Sequence, residues 1–454
     1  MSTLEFWDYF NTMDLQNIAH ILSLTSTDKT EVTGICTDSR QIKPGNVFIA
    51  IEGELFDGHA FVHEVEEKGA AAVIVKKRIT DVSIPQFVVA DPLMALAQIA
   101  TEHRKHFPCP VIALTGSNGK TSVKEMISAI LPKPSHATKG NLNNHIGAPL
   151  SVLALTAEHR YAVFELGANH PGEIAHTVAV VRPDVALINN IAPAHIEGFG
   201  SIDGVALAKG EIYQGLTAEG VAIVNDDDHY AHFWDETLLN KKIIRFSLEH
   251  PADVYTKEVR LDAQGRGQFT LVLPTGTIDL HLQVPGLHNV RNALAAAASC
   301  YALGISLEAI KNGLTQFGGV QGRMTILNGK NHSTIIDDTY NANLRSVLAG
   351  LEVLAKQPGN KIFVFGDMGE LGNWAAEHHE EVGIVARRLG INQLLTCGSF
   401  SKLSSQAFGE GGLHFASQDE VVRFLDNKLD SNTTVLVKGS RSSAMEKIVQ
   451  KLLN

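Results

Sequence analysis

The chain has 454 residues, 44% hydrophobic and 19% charged, with a formal charge of −11. That length exceeds one hydrophobic core, and the acidic balance argues against nucleic acid as a partner, which needs a basic surface. Cys36, Cys109, Cys300 and Cys397 lie far apart with no CxxC, which excludes a cysteine zinc site of ordinary spacing and a disulfide framework and suggests a reducing compartment.

The opening MSTLEFWDYF has no basic region of the secretory kind, and no apolar run approaches the length of a membrane span; the expectation is a cytoplasmic protein that does not cross a membrane. Residues 1–84 predict a small α/β domain with strands at Val32–Thr37, Val47–Ile51 and Ala70–Val75 and turns at Pro44-Gly45 and Asp57-Gly58. The clusters Asp38-Ser39-Arg40 and Asp57-Gly58-His59 follow strands, and alone such clusters are more often turn chemistry than a site. A strand Gln86–Ala90 and a helix from Leu93 to about His106 open a central domain, residues 85–317.

Within it, VIALTGSNGKTSVKEMISAIL from Val111 is the most informative stretch. A buried strand leads through Thr115-Gly116-Ser117-Asn118-Gly119-Lys120-Thr121 into a helix whose apolar face is Val123, Met126, Ile127, Ile130 and Leu131, stopped by Pro132. A loop at a helix N-terminus presents unpaired N–H groups and a positive dipole, which suits a polyphosphate. Gly116 and Gly119 allow close backbone approach, Lys120 supplies a point charge, and the Thr121 hydroxyl can ligate Mg²⁺. The motif is the short GxxGKT, because the position of the first glycine in the longer P-loop is Leu114.

Strand and helix then alternate as in a doubly wound sheet. Strands are predicted at Tyr161–Leu166, Val185–Asn189, Val221–Asn225 and Lys242–Ser247, with helices after Gly172 and around Val205–Leu216. Gly267–Leu273 and Thr277–Val284 form a hairpin, and helices follow over Val290–Leu303 and on to Phe317. Gly318-Gly319 marks a boundary. Residues 318–454 predict a Rossmann-like domain with strands Ile335–Asp337, Ile362–Phe365, Gln393–Thr396 and Thr434–Val437. The fold class is thus α/β in three domains: a small N-terminal one, a central P-loop ATPase-like one with a parallel sheet, and the Rossmann-like one.

Phosphoryl transfer needs metal ligands at the ends of neighbouring strands. Glu165, ending its strand, is one candidate; His195, in IAPAHIEGFG, is another, although a lone histidine is as readily structural. Lys209 lies on a predicted helix, where a lysine is normally a solvated face. Arg323 could stabilise charge on a transferring phosphoryl group or simply form a surface ion pair. Asp337-Asp338 ends a strand.

Together these residues resemble the bacterial Mur ligase family. The resemblance is carried by DSRQIKPGNVFIAIEG from Asp38, TGSNGKT from Thr115, KGNLNNHIGAPLSVL from Lys139, ELGANHPGEI from Glu165 and APAHIEGFGS from Ala192. It continues through AKGEIY from Ala208, GLHNVRNALAA from Gly286, DDTYNAN from Asp337, GDMGELG from Gly366 and VKGSRSSAME from Val437. It implies an ATP- and Mg²⁺-dependent enzyme that joins D-alanyl-D-alanine to the carboxylate of UDP-N-acetylmuramoyl-tripeptide through an acyl phosphate, the final cytoplasmic step of peptidoglycan precursor synthesis; a monomer is the default expectation. It places Thr121 and Glu165 on one Mg²⁺ and His195 on a second, and makes Lys209 a carbamylated lysine. By the same match Asn289 and Asn292 contact adenine, Arg323 the γ-phosphate, and Asp338 and Tyr340 neighbour the nucleotide. Ser39, Arg40, Asn141 and Asn144 contact the UDP-linked substrate. The chain departs from the family pattern at His145, where an acidic residue is usual, and at Leu344, where proline is usual.

Three other readings compete. The diamino-acid-adding Mur ligase carries an Asp-Asn-Pro-Arg signature that does not occur here, and folylpolyglutamate synthase lacks an N-terminal domain of this kind. A nucleotide-driven switch without ligation would not require DDTYNAN or GDMGELG.

Overall fold

The computed structural model describes residues 13–53, 56–193 and 196–453. Its contacts divide the chain into two compact units, one taking in residues up to 113 with 132–167 and 173–183, the other residues 114–131, 168–172 and 184–454. No helix among the described residues is long and apolar enough to cross a membrane.

In the first unit β1 (Gly34–Cys36), β2 (Asn46–Ile49), β3 (Ala72–Val75) and β4 (Gln86–Val88) make a four-stranded parallel sheet in that order. β2 and β3 are buried at every residue, which is why they read as continuous apolar runs. One core joins Val47, Ile49 and Ile74 to Ile18, Leu96 and Ile99 of the helices Leu15–Ile21 and Pro92–His106; a second gathers Phe48, Val62, Val65 and Val73. The longer helix starts where the Asp91 side chain accepts from Leu93 N and Pro92 takes the first turn, in which a proline loses no hydrogen bond. β5 (Val111–Thr115) runs from this unit into the second, and β6 (Ser135–Ala137) pairs in parallel with β7 (Tyr161–Glu165).

In the second unit β8 (Val185–Ile188), β9 (Val221–Asn225), β10 (Lys242–Ser247) and β11 (Val254–Leu261) are successive parallel neighbours. β12 (Arg266–Leu273) and β13 (Gly276–Pro285) extend them antiparallel as the predicted hairpin. The alanine-rich helix Leu287–Ala302 is buried along most of its length, which its small side chains permit. Beyond it β14 (Thr325–Asn328), β15 (Thr334–Asp338), β16 (Asn360–Phe365), β17 (Gln393–Thr396), β18 (Gly412–His414) and β19 (Thr433–Lys438) form a six-stranded sheet. Its order is β14-β15-β19-β16-β17-β18, parallel except for β14. Separate cores cover its two faces, one with Phe363, Phe365 and Leu436, the other with Ile362, Val364 and Val435, as strand alternation requires.

β6, β11, β14 and β18 were not anticipated. β6 and β18 have three residues each and β14 four, too short for a period to register. β11 carries Lys257, Glu258 and Arg260 on a largely unburied strand, with a register shift where Glu258 turns to φ +53°.

Candidate active site

β5 is buried throughout and delivers the chain to the loop Gly116–Gly119, where Thr115 O accepts from Asn189 N at 2.9 Å. Gly119, with φ +77°, precedes the helix Lys120–Ile130 in a left-handed conformation that an L side chain adopts only with strain. The helix buries Val123, Met126, Ile127 and Ile130, the predicted stripe, each contributing about 1.5–3 kcal/mol when fully buried. That face fixes the helix, so its N-terminus and the loop before it hold one place.

Beneath the loop runs a chain of carboxamides. Asn190 faces the Asn118 peptide, its Oδ1 accepting from Asn118 N at 2.9 Å and its Nδ2 donating to Asn118 O at 3.0 Å. Asn189 Nδ2 donates to Asn118 O at 2.9 Å and to Asn292 Oδ1 at 3.0 Å; Asn292 Nδ2 donates to Asn289 Oδ1 at 3.1 Å, and Asn289 Nδ2 to Pro285 O at 2.8 Å. Ser117 ties the loop to Ala192, its hydroxyl accepting from Ala192 N and donating to Ala192 O. Asn189 and Asn190 had no place in the residue-based reading. Their only signal was the polar pair ending an apolar strand beside a phosphate-type loop. Asn289 and Asn292, matched to adenine contacts, here spend their amides on one another and on the loop's support.

Several buried polar atoms around this loop have no hydrogen-bond partner: Thr115 Oγ1, Asn118 Nδ2, Asn189 Oδ1 and Arg323 Nε. An unpaired buried donor costs about 1–3 kcal/mol, so such a cluster marks a place where a ligand completes the bonding. Three of these atoms, Thr115 Oγ1, Asn118 Nδ2 and Arg323 Nε, can donate, which suits an anion.

Arg323 approaches from the strand-and-loop region before β14. Its Nη2 donates to Thr121 Oγ1 at 2.8 Å, and its guanidinium lies 4.2 Å from the centre of the Tyr340 ring. Tyr340 N bonds Gly322 O at 3.1 Å, and Asp338 Oδ1 accepts from Met324 N at 3.2 Å. Burial pushes the Asp338 carboxyl up from its ordinary value, against the pull of Lys438. Asn343 Nδ2 donates to Asn118 Oδ1 at 2.7 Å, and Arg345 Nη1 to Ile191 O at 3.1 Å. Leu344 stands at the first position of the helix Leu344–Ala355, with Asn343 as its cap, a position where proline and leucine are both accommodated. Lys120 Nζ donates to Gly116 O at 2.8 Å.

Lys209 corrects an expectation. Its helix Ile202–Gln214 buries Val205, Ala208, Lys209 and Ile212, so the lysine occupies the core-facing stripe and not the solvated one. The V-x-x-A-K-x-x-I spacing was the legible signal. Only 1% of Lys209 is exposed, its Nζ lies 5.9 Å from the Phe199 ring, and no carboxylate among the described residues pairs with it. Burial holds its amine well below the ordinary lysine value, with the Lys120 charge adding to the effect.

The other predicted residues are bonded as follows. Glu165 belongs to the first unit, where it is 2% exposed and accepts from Asn143 Nδ2 at 2.8 Å. Ser39, Arg40, Asn141 and Asn144 are in the same unit. Arg40 is highly exposed and engaged by Asp38 through Nε and Nη2, whose bonds hold the Asp38 carboxyl well below the usual range. Asn144 Oδ1 accepts from Gly147 N, at the start of the helix Gly147–Leu153, at 2.7 Å, and Ser39 O accepts from Lys68 Nζ. His145 Nδ1 lies 3.9 Å from Glu173 Oε1. His195 lies outside the described residues. Among the described residues no three His, Cys, Asp or Glu side chains gather as a metal site.

Comparison with known proteins bears on the whole chain. Residues 31–104 match the description "Mur ligase family, catalytic domain", residues 114–300 "Mur ligase middle domain", and residues 322–441 "Mur ligase, glutamate ligase domain". The UDP-N-acetylmuramoyl-tripeptide–D-alanyl-D-alanine ligase of Escherichia coli is 44% identical over 423 residues, 92% of this chain and 93% of that one. A crystal structure of MurF from Acinetobacter baumannii superposes with a TM-score of 0.90 at 38% identity, covering 97% and 98% of the two chains. MurF from Thermotoga maritima in complex with ADP gives 0.82 at 26% identity, covering 92% and 96%. With its phosphate-type loop, three matched regions and full-length relatives, the chain belongs to the Mur ligase family.

Proposed function

We propose that this chain is the ATP-dependent ligase that adds D-alanyl-D-alanine to UDP-N-acetylmuramoyl-tripeptide, forming an amide bond and releasing ADP and phosphate. The observation that carries the nucleotide half of the reading is two buried donors without partners, Asn118 Nδ2 within the loop Gly116–Gly119 and Arg323 Nε on the guanidinium that reaches Thr121 Oγ1. The peptide half rests on the full-length relatives, which are named for that reaction. We place the domain boundaries at 1–84 for binding the UDP-linked substrate, 85–317 for ATP and 318–454 for the C-terminal Rossmann-like domain, in a cytoplasmic monomer.

Bound ATP supplies the γ-phosphoryl group that converts the peptide carboxylate into an acyl phosphate, and Mg²⁺ offsets charge on the phosphate oxygens. The residues for both are at hand. The loop N–H groups and the N-terminus of the helix Lys120–Ile130 hold phosphate, Lys120 turns from Gly116 O to the outer oxygens, and Arg323 faces the transferring group beside Thr121. By the family resemblance Thr121 and Glu165 would hold one Mg²⁺ and His195 a second, and a carbamate on Lys209 would bridge to a metal. Mg²⁺ is commonly held by one or two protein ligands together with substrate phosphates, which a set this small would match. Burial lowers the proton affinity of the Lys209 amine and so favours the unprotonated form, which can add CO₂ and lose a proton to become an anionic carbamate.

Asn289, Asn292, Asp338 and Tyr340 line the nucleotide side, and Ser39, Arg40, Asn141 and Asn144 the UDP-linked substrate. Two results test the assignment. ADP release should require both the UDP-peptide and a dipeptide amine, and turnover indifferent to both would return the chain to a simple switch. Asn190→Ala, which strips two bonds from the Asn118 peptide, should raise KM for ATP about tenfold while leaving KM for the dipeptide unchanged.

A further inference from the structure

Arg323 is held through the C-terminal sheet by Lys438, a residue that no role has so far claimed. Lys438, the last residue of β19, is 2% exposed. Its Nζ reaches Asp338 Oδ2 at 2.5 Å and Asn341 O at 3.0 Å. Asp338, the last residue of β15, uses its other oxygen to accept from Met324 N at 3.2 Å. Met324 follows Arg323 directly and sits at φ +54°, a left-handed conformation that costs a long side chain about 1 kcal/mol or more and persists only when neighbours enforce it. From the other end of the same loop, Tyr340 N bonds Gly322 O and the Tyr340 ring faces the Arg323 guanidinium. Arg323 then reaches Thr121 Oγ1.

We propose that Lys438 is a positioning residue for phosphoryl transfer: through Asp338 and the Asn341 carbonyl it locks the backbone of Met324 and the loop under Tyr340, and so sets where the Arg323 guanidinium points. Lys438 is too far back in this relay to touch the nucleotide itself, since its ammonium is spent on Asp338 and Asn341. The register of the sheet makes the relay rigid. Asp338 pairs with Lys438 across neighbouring parallel strands, and a glycine, Gly350, backs the carboxylate with its would-be Cβ 3.8 Å from Asp338 Oδ2. A bulkier residue there would crowd the pair.

The inference rests on the reading of Arg323 given above, and the test separates the two. Four proteins are compared as full chains: wild type, Lys438→Met, Arg323→Ala and the double variant. ADP affinity is measured by calorimetry and kcat by ADP release in the presence of both substrates. Arg323→Ala should lower kcat roughly 100-fold or more and Lys438→Met roughly 30-fold, with ADP affinity changed less than about threefold because ADP lacks the γ-phosphate. In the double variant the Lys438 change should add less than about twofold, because its effect passes through Arg323.

If the two losses multiply, or if Lys438→Met weakens ADP binding as much as it lowers kcat, the positioning role is overturned while the role of Arg323 stands. If Arg323→Ala turns over like wild type, the reading of Arg323 falls instead, and the positioning role falls with it. Lys438→Met leaves a buried carboxylate unpaired, so should it fail to fold, Lys438→Gln takes its place in the cycle. Its amide can still donate one bond, and a smaller loss that is likewise non-multiplicative with Arg323→Ala is expected.

Discussion

Lys209→Ala should lower ligation by about 1000-fold, the loss expected when several kcal/mol of metal-borne charge stabilisation is withdrawn from the transition state. Melting temperature should hold. Burying an amine at a site with 1% exposure and, among the described residues, no paired carboxylate opposes folding, and Lys209→Met, which fills the space, should be as stable as wild type or more so. Short carboxylic acids such as formate and acetate should restore part of the activity in the alanine variant by supplying the missing anion. Labelled bicarbonate should give a carbamate carbon signal in the wild type and none in Lys209→Met. Wild-type rates in either variant would remove Lys209 from the reaction.

Gly119→Ala is the second large effect. A Cβ there would lie 2.6 Å from Asn292 Oδ1 and 2.7 Å from Asn189 Nδ2, on a residue with φ +77°. The left-handed conformation costs an alanine about 1–2 kcal/mol, and prying Asn189 from Asn292 costs about 1 kcal/mol more. Together that is ~30- to 200-fold in nucleotide affinity. Calorimetry with ADP reads it directly. Adding Asn292→Ala to the glycine variant relieves the contact but not the φ strain, so it should recover only part of the loss. Affinity within a few-fold of wild type in Gly119→Ala would show that the amide chain does not fix the loop.

The phosphate loop was legible because everything that makes it is local: the apolar strand, the two glycines and the helix stripe fall within one short stretch. The alternating strands of the second unit were legible for the same reason, and β9, β10 and β17 carry their predicted bounds. Asn189, Asn190 and Lys438 were not, because their meaning lies in what they face. Asn190 is remote in sequence from the Asn118 peptide that it brackets, and Lys438 meets Asp338 only because β15 and β19 are neighbours. Lys209 stands between these cases. Its burial was written in the spacing of Val205, Ala208 and Ile212, but charge was given more weight than periodicity.

Asn289 and Asn292 stand three apart on the helix Leu287–Ala302. That spacing puts both amides on one face, where they pass a continuous chain of hydrogen bonds from Pro285 through Asn189 to the loop.

The most direct test is the mass of the product formed from UDP-N-acetylmuramoyl-tripeptide and ATP with three nucleophiles in turn: D-alanyl-D-alanine, D-alanine and a diamino acid. The account predicts one ADP per pentapeptide with the dipeptide and no peptide product with either single amino acid. A product with a single amino acid, or ADP release without any new amide bond, would contradict it.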